Sequence, residues 1–133
     1  MGLDNGVMVK RNEYTNNIPE LKRFEDEWDK EHKYNFEVAY YRKAWNIRND
    51  LFDLGIGYNQ DRYPMTKQDV EKMIGLLSSY NAENFEYNGT CIWEWDDEEW
   101  PYSEKIQRDI KNLQYLRELM DKYELEVYFY DSY

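Results

Sequence analysis

The chain has 133 residues, 41% of them hydrophobic, so it is long enough to bury one core without disulfides or structural metal. Its 28 Asp and Glu against 17 Lys and Arg give a formal net charge of −11, a field that repels nucleic acid and anionic membranes. We therefore expect one domain over residues 1–133 that favours basic partners, unless the charge serves solubility alone. A single cysteine and the absence of a long apolar run predict a protein of a reducing cytoplasm, neither exported nor membrane-embedded.

The first quarter of the chain predicts a strand followed by a helix. The apolar run at residues 6–9 follows a Gly and Asn turn signal, which is typical of a strand. Leu21, Phe24 and Trp28 then recur at helical spacing after a proline, which predicts an amphipathic helix over residues 19–30.

A second strand and helix follow. Residues 35–40 alternate, and the alternation places Phe36, Val38 and Tyr40 on one side of a strand. The pattern becomes helical over residues 45–54 and ends before a glycine, the residue best suited to stop a helix.

The middle of the chain contains the clearest helix start and the clearest turn. Thr66 followed three residues later by Asp69 is a variant capping box, and an apolar stripe continues from it. Asn88 and Gly89 stand between two aromatic runs, which predicts a β-hairpin over residues 84–95.

The last third predicts a long helix and a final strand. Ser103 can cap a helix with a continuous apolar stripe, and residues 125–130 alternate as a strand does. Helices interleave with strands and one hairpin, so the simplest fold is α+β, with three or four helices packed on one mainly antiparallel sheet.

An acidic and tryptophan-rich segment precedes the last helix and is the first candidate site. Its partner-binding residues are Glu94, Trp95, Asp96, Asp97, Glu98, Glu99 and Trp100. The spacing lacks the alternation and turn glycine of a calcium loop. Two interpretations remain: a solvated loop with its tryptophans in the core, or a surface that imitates a nucleic-acid backbone and occupies a basic groove.

The second candidate site is a basic and aromatic cluster. It comprises Tyr40, Tyr41, Arg42, Lys43 and Arg48. Such a cluster could hold a phosphate or a nucleotide. The alternative is that Arg48 is partly buried and forms a structural ion pair with a carboxylate.

Catalytic signatures are absent from the sequence. His32 stands in a charged stretch, Cys91 has no local base, and one residue of each type cannot build a zinc site. The chain also has no phosphate-binding glycine loop, GxSxG elbow or HExxH helix. We expect no catalytic residue, no metal site and no cofactor.

Two short motifs resemble a group of small bacteriophage and prophage proteins. These are Met-Gly-Leu-Asp at residues 1–4 and Tyr-Tyr-Arg-Lys-Ala at residues 40–44, followed by Ile47. The chain departs from the group at Tyr41, where tryptophan is usual, and at Arg48, where histidine is usual. The resemblance implies expression in the cytoplasm of a bacterial host and brings no activity with it.

These observations lead to three hypotheses. The first is a phage inhibitor of a host defence factor, such as a CRISPR nuclease, that covers a basic nucleic-acid-binding surface through the acidic segment. The second is a protein that sequesters or cleaves a small phosphate ligand at the basic cluster. The third is an oligomeric structural or regulatory phage protein; the sequence fixes no oligomeric state.

Overall fold

A computed structural model describes residues 4–24, 35–42, 45–57, 62–80 and 103–132. These residues form an α+β fold with one antiparallel sheet, as the sequence predicts. The strands are β1 (Asp4–Lys10), β2 (Asn35–Arg42), β3 (Arg62–Pro64) and β4 (Val127–Ser132). The helices are α1 (Glu13–Asn16), a 3₁₀ helix (Pro19–Phe24), α2 (Trp45–Asp53), α3 (Lys67–Ser79) and α4 (Ser103–Lys122).

The sheet has the strand order β2-β1-β4-β3, and each neighbouring pair is antiparallel. Residues directly opposite each other on neighbouring strands point to the same side of a sheet. One side, here called the inner face, packs against the helices and carries a row formed by Val7, Ala39 and Phe129. The opposite side, the outer face, carries a row formed by Tyr40, Gly6, Tyr130 and Arg62.

A β-bulge changes the side on which Tyr40 lies. The register between β1 and β2 shifts where Val7 gives way to Met8, so β2 holds one extra residue. Val38 and Ala39 are consequently both buried, and the alternation changes phase after them. The expectation that Tyr40 lies with Phe36 and Val38 was wrong for this reason: Phe36 and Val38 are in the core, whereas Tyr40 is on the outer face.

Two local signals position the helices of the inner face. The Thr66 side chain accepts a hydrogen bond from the Asp69 backbone, and the Asp69 carboxylate accepts one from the Thr66 backbone, which confirms the predicted capping box. After α2 the chain turns at Gly55, whose φ of +83° is a left-handed conformation that glycine adopts without strain. The stop of α2 predicted before this glycine is therefore confirmed.

The segment after Pro19 differs from the predicted α-helix. Residues 19–24 form a 3₁₀ helix, in which side chains three positions apart lie above one another. Leu21 and Phe24 have that spacing and are both buried, so the tighter helix brings both side chains into the core. The remainder of the predicted helix, residues 25–30, and the predicted hairpin, residues 84–95, lie outside the described residues.

Candidate functional site

The excess negative charge of the chain is unevenly distributed along the sequence. The described residues contain 15 Asp and Glu against 14 Lys and Arg, whereas the whole chain contains 28 against 17. Residues 81–102 alone contain seven Asp and Glu and no Lys or Arg. The predicted partner-binding residues 94–100 belong to this segment and lie outside the described residues.

Many carboxylates of the described residues have basic partners. Asp121 lies 2.8 Å from the Arg117 guanidinium and 3.0 Å from Lys67 Nζ. The hydrogen bond from Arg117, joined by one from Lys67, holds the pKa of the Asp121 carboxyl below its usual range. Glu71 also accepts a hydrogen bond from Arg117 Nε, at 3.0 Å. Such neighbours neutralise much of the local field around these carboxylates.

Arg48 lies inside the fold and faces a carboxylate. Its Nε is 2.8 Å from Oδ2 and 3.0 Å from Oδ1 of Asp131, and both side chains are largely buried. The Arg48 guanidinium also stacks on Phe52, 4.4 Å from the ring centroid. Arg48 was expected either to bind an anion or to form a structural ion pair, and the structure contains the ion pair. Asp131 supplies the negative charge that a bound anion would otherwise bring.

Asp131 belongs to a buried polar row that crosses the sheet. Asn5 on β1 pairs with Tyr41 on one side and with Asp131 on the other, so all three side chains lie on the inner face. Asn5 is completely buried, and within the described part of the chain neither its Oδ1 nor its Nδ2 has a hydrogen-bond partner. Asn5 and Asp131 could not be recognised as site residues from the sequence, because neither belongs to a motif and their pairing depends on the register of the sheet.

A second buried ion pair borders this row. Lys105 Nζ lies 2.9 Å from Asp109 Oδ2, one helical turn away on α4, and the Asp109 side chain is 2% exposed. The same Nζ lies 4.4 Å from the centroid of the Tyr41 ring. The positive charges of Lys105 and Arg48 are thus each matched by a buried carboxylate on the inner face.

Three residues of the predicted basic cluster have described side chains, and these lie on both faces of the sheet. Tyr41 is fully buried and shares the inner face with Arg48, whereas Tyr40 is 37% exposed on the outer face. Arg42 is the last residue of β2. Lys43 lies outside the described residues. The structure thus separates Tyr40 from Tyr41 and Arg48 by the thickness of the sheet.

The outer face carries an aromatic cluster, here called the tyrosine face, which consists of Tyr40, Tyr128 and Tyr130. Each of these side chains is at least partly exposed. The Arg62 guanidinium lies 5.4 Å from the centroid of the Tyr128 ring. Burial raises the pKa of the Tyr128 phenol, and the charge of Arg62 opposes that shift. The Tyr128 hydroxyl donates a hydrogen bond to Asn35 Oδ1.

Among the described residues, no three His, Cys, Asp or Glu side chains are grouped so that they could hold a metal ion. None of the helices in the described ranges combines the length and the apolar character that crossing a membrane requires. No protein-family model, curated protein or solved structure matches the chain.

Proposed function

We propose that the chain is a phage-encoded binding protein that inhibits a host defence factor, such as a CRISPR nuclease, by covering its basic nucleic-acid-binding surface. The observation that carries the proposal is the concentration of carboxylates in residues 81–102 of the sequence. Residues 81–102 hold seven carboxylates without a single basic residue, whereas the described residues hold 15 Asp and Glu against 14 Lys and Arg. A dense set of carboxylates next to tryptophans can replace phosphates and bases on a basic groove.

The inhibition would be stoichiometric. The carboxylates attract the basic surface over a distance of about one Debye length, and Trp95 and Trp100 supply apolar anchors once contact is made. No turnover is needed, and the partly buried cations Arg48 and Lys105 are already paired with carboxylates. Complex formation should therefore weaken steeply as salt increases.

Matched variants test this function. In the first, Asp96, Asp97, Glu98 and Glu99 are replaced by their amides, which removes four charges and preserves side-chain size. The control variant removes four charges from exposed carboxylates elsewhere in the chain: Glu13, Asp53, Glu104 and Glu118. Both variants have the same net charge, so only the position of the lost carboxylates differs.

The readout is capture of a host protein, followed by that protein's binding to its own nucleic acid. The wild type and the control should capture it and block nucleic-acid binding at equal stoichiometry. The amide variant should bind roughly tenfold more weakly or worse. Equal capture by both variants, or a captured protein that still binds its nucleic acid, would contradict the proposal.

A further inference from the structure

Asn5 is followed by Gly6, a pair of residues that is intrinsically prone to lose the side-chain amide. The backbone nitrogen of the following residue attacks the Asn carboxamide carbon, and glycine has no side chain to shield that nitrogen or to restrict the backbone turn that the attack requires. The same pair recurs at Asn88 and Gly89, which lie outside the described residues. The two pairs share their local chemistry, so they should react at similar rates in an unfolded chain.

The fold holds Asn5 and Gly6 in a conformation that prevents the attack. Both residues lie on β1, which is paired with β2 on one side and with β4 on the other. The extended backbone keeps the Asn5 carboxamide on the inner face, and the N–H groups of a strand between two neighbours are used in the hydrogen bonds of the sheet. Asn5 is also completely buried, which keeps it from the water that completes the reaction. The reaction therefore requires that β1 leave the sheet.

We infer that Asn5 is a modification site that reacts only in the unfolded chain and then prevents refolding. In the first step the Gly6 nitrogen forms a bond to Asn5 Cγ, the bond from Cγ to Nδ2 breaks, and ammonia leaves with the proton of the Gly6 N–H. Water then adds to either carbonyl carbon of the resulting cyclic imide and opens it, which yields aspartate or isoaspartate at position 5. This inference is independent of the proposed function.

Either product places a carboxylate next to Asp131. Asn5 and Asp131 stand directly opposite each other on β1 and β4, and both side chains are buried. Like charges at opposite positions of a sheet repel each other, and burial strengthens the repulsion. The cations that border this row, Arg48 and Lys105, already face Asp131 and Asp109. The new carboxylate therefore enters the row without a cation of its own.

The isoaspartate product also lengthens the backbone of β1 by one carbon atom. The two strands approach so closely here that a Cβ on Gly6 would clash with the Ala39 carbonyl oxygen of β2. A longer backbone at this point shifts the register that places Val7 beside Ala39 and Phe129 in the core. Since a shift of one residue turns every following side chain to the opposite face, the sheet cannot form as before.

The protective role of the fold is tested by ageing the wild type in mildly alkaline buffer, with and without a denaturing concentration of urea. Peptide mapping by mass spectrometry follows each Asn separately. In urea, Asn5 and Asn88 should react at similar rates. In native buffer Asn5 should react at least about a hundredfold more slowly than in urea, because only the unfolded fraction reacts. Equal rates of Asn5 modification with and without urea would overturn the inference.

Refolding tests the consequence of the modification. Samples aged in urea for increasing times are diluted into native buffer, and the folded fraction is isolated by size-exclusion chromatography and mapped. The yield of folded wild type should fall as position 5 becomes modified, and the folded fraction should be depleted of chains modified there. Asn5→Leu lacks the reactive amide and leaves Asn88 unchanged, so this control should keep its yield. An equal loss of yield in both proteins would contradict the inference.

Asn5→Asp isolates the effect of charge, because it carries the carboxylate of the product on a normal backbone. Its midpoint of urea unfolding should be lower than that of the wild type. Combining Asn5→Asp with Asp131→Asn returns the row to one carboxylate and should recover part of the loss. A single variant as stable as the wild type, or a double variant no more stable than the single one, would show that Asp131 does not oppose a carboxylate at position 5.

Discussion

Arg48 and Asp131 are 83 residues apart in the chain, yet Arg48 Nε lies 2.8 Å from Asp131 Oδ2 and joins α2 to β4. The Asp131 side chain is 6% exposed and that of Arg48 is 14% exposed, so water screens the pair only weakly. An ion pair in such surroundings adds little net stability, because both charges lose hydration on folding. Removal of either partner, however, leaves the other as an uncompensated buried charge. Removing one partner should therefore destabilise the protein more than replacing both.

Arg48→Met should lower the free energy of unfolding by about 3–5 kcal/mol, because it leaves the buried Asp131 carboxylate without its guanidinium. The measurement is the midpoint and slope of urea unfolding. The double variant Arg48→Met with Asp131→Leu should recover most of the loss, since an apolar pair replaces the ionic one. A single variant as stable as the wild type would show that Asp131 does not depend on Arg48.

Asn5→Leu is expected to stabilise the protein. The Asn5 carboxamide is completely buried and has no hydrogen-bond partner within the described residues, and such a group costs about 1–3 kcal/mol. Leucine has a similar shape and leaves nothing unsatisfied. Thermal melting should therefore show a higher midpoint for Asn5→Leu, while Asn49→Leu on the exposed side of α2 changes it little. A lower midpoint for Asn5→Leu would mean that the carboxamide is satisfied.

Stability should fall at alkaline pH because of Tyr80. Burial raises the pKa of the Tyr80 phenol, and the hydrogen bond that it donates to Asp50 Oδ2, at 2.5 Å, raises it further. In the unfolded chain the phenol has a pKa of about 10. The folded state therefore holds its proton more tightly, so this contribution is complete below about pH 10 and is lost as the pH rises above it.

The midpoint of urea unfolding is measured at about pH 8 and about pH 11, two values that lie on either side of the tyrosine pKa of the unfolded chain. The wild type should lose stability between the two values, and Tyr80→Phe should lose less, since it has no phenol to titrate. Tyr123 contributes in the same direction, because its hydrogen bond to Glu20 raises its pKa, so some loss remains in the variant. An identical loss in both proteins would exclude Tyr80 as a source.

The parts of the fold that could be predicted from the sequence are those encoded by neighbouring residues. The capping box of Thr66 and Asp69 spans four positions, and the stop at Gly55 depends on one residue. The short strand β3 was missed, because its three residues pair with β4 only through the tertiary fold. The bulge in β2 was missed for the same reason, since its cause is the register with β1 and not a pattern within β2.

In the candidate sites, too, features of neighbouring residues could be predicted from the sequence, whereas contacts between distant residues could not. A buried ion pair for Arg48 was one of two alternatives, because its position on the helix indicated partial burial. Its partner, Asp131, could not be named, since no local pattern connects residues so distant in the chain. The tyrosine face could not be predicted from the sequence either, because the alternation of β2 placed Tyr40 on the buried side. The acidic segment lies outside the described residues, and its role remains a prediction.

Two glycines that follow α2, Gly55 and Gly57, share a backbone conformation but differ in how closely other side chains approach them. Gly55 has a φ of +83° and Gly57 a φ of +89°, so alanine is strained at both positions. A Cβ on Gly55 meets no atom within 4 Å, whereas one on Gly57 would lie 2.8 Å from Phe129 Cδ1. The first substitution should therefore cost about 1 kcal/mol for the left-handed conformation alone.

Gly57→Ala should cost more, by about a further 1–3 kcal/mol, because the new methyl group must displace a core ring that is fully buried on β4. Urea unfolding of both variants measures the difference directly, and Gly55→Ala controls for backbone strain. Phe129→Leu combined with Gly57→Ala should show a smaller loss than the sum of the two single variants, since the smaller side chain gives room to the methyl group. Equal losses in the two alanine variants would place the cost in the backbone and not in the contact between Gly57 and Phe129.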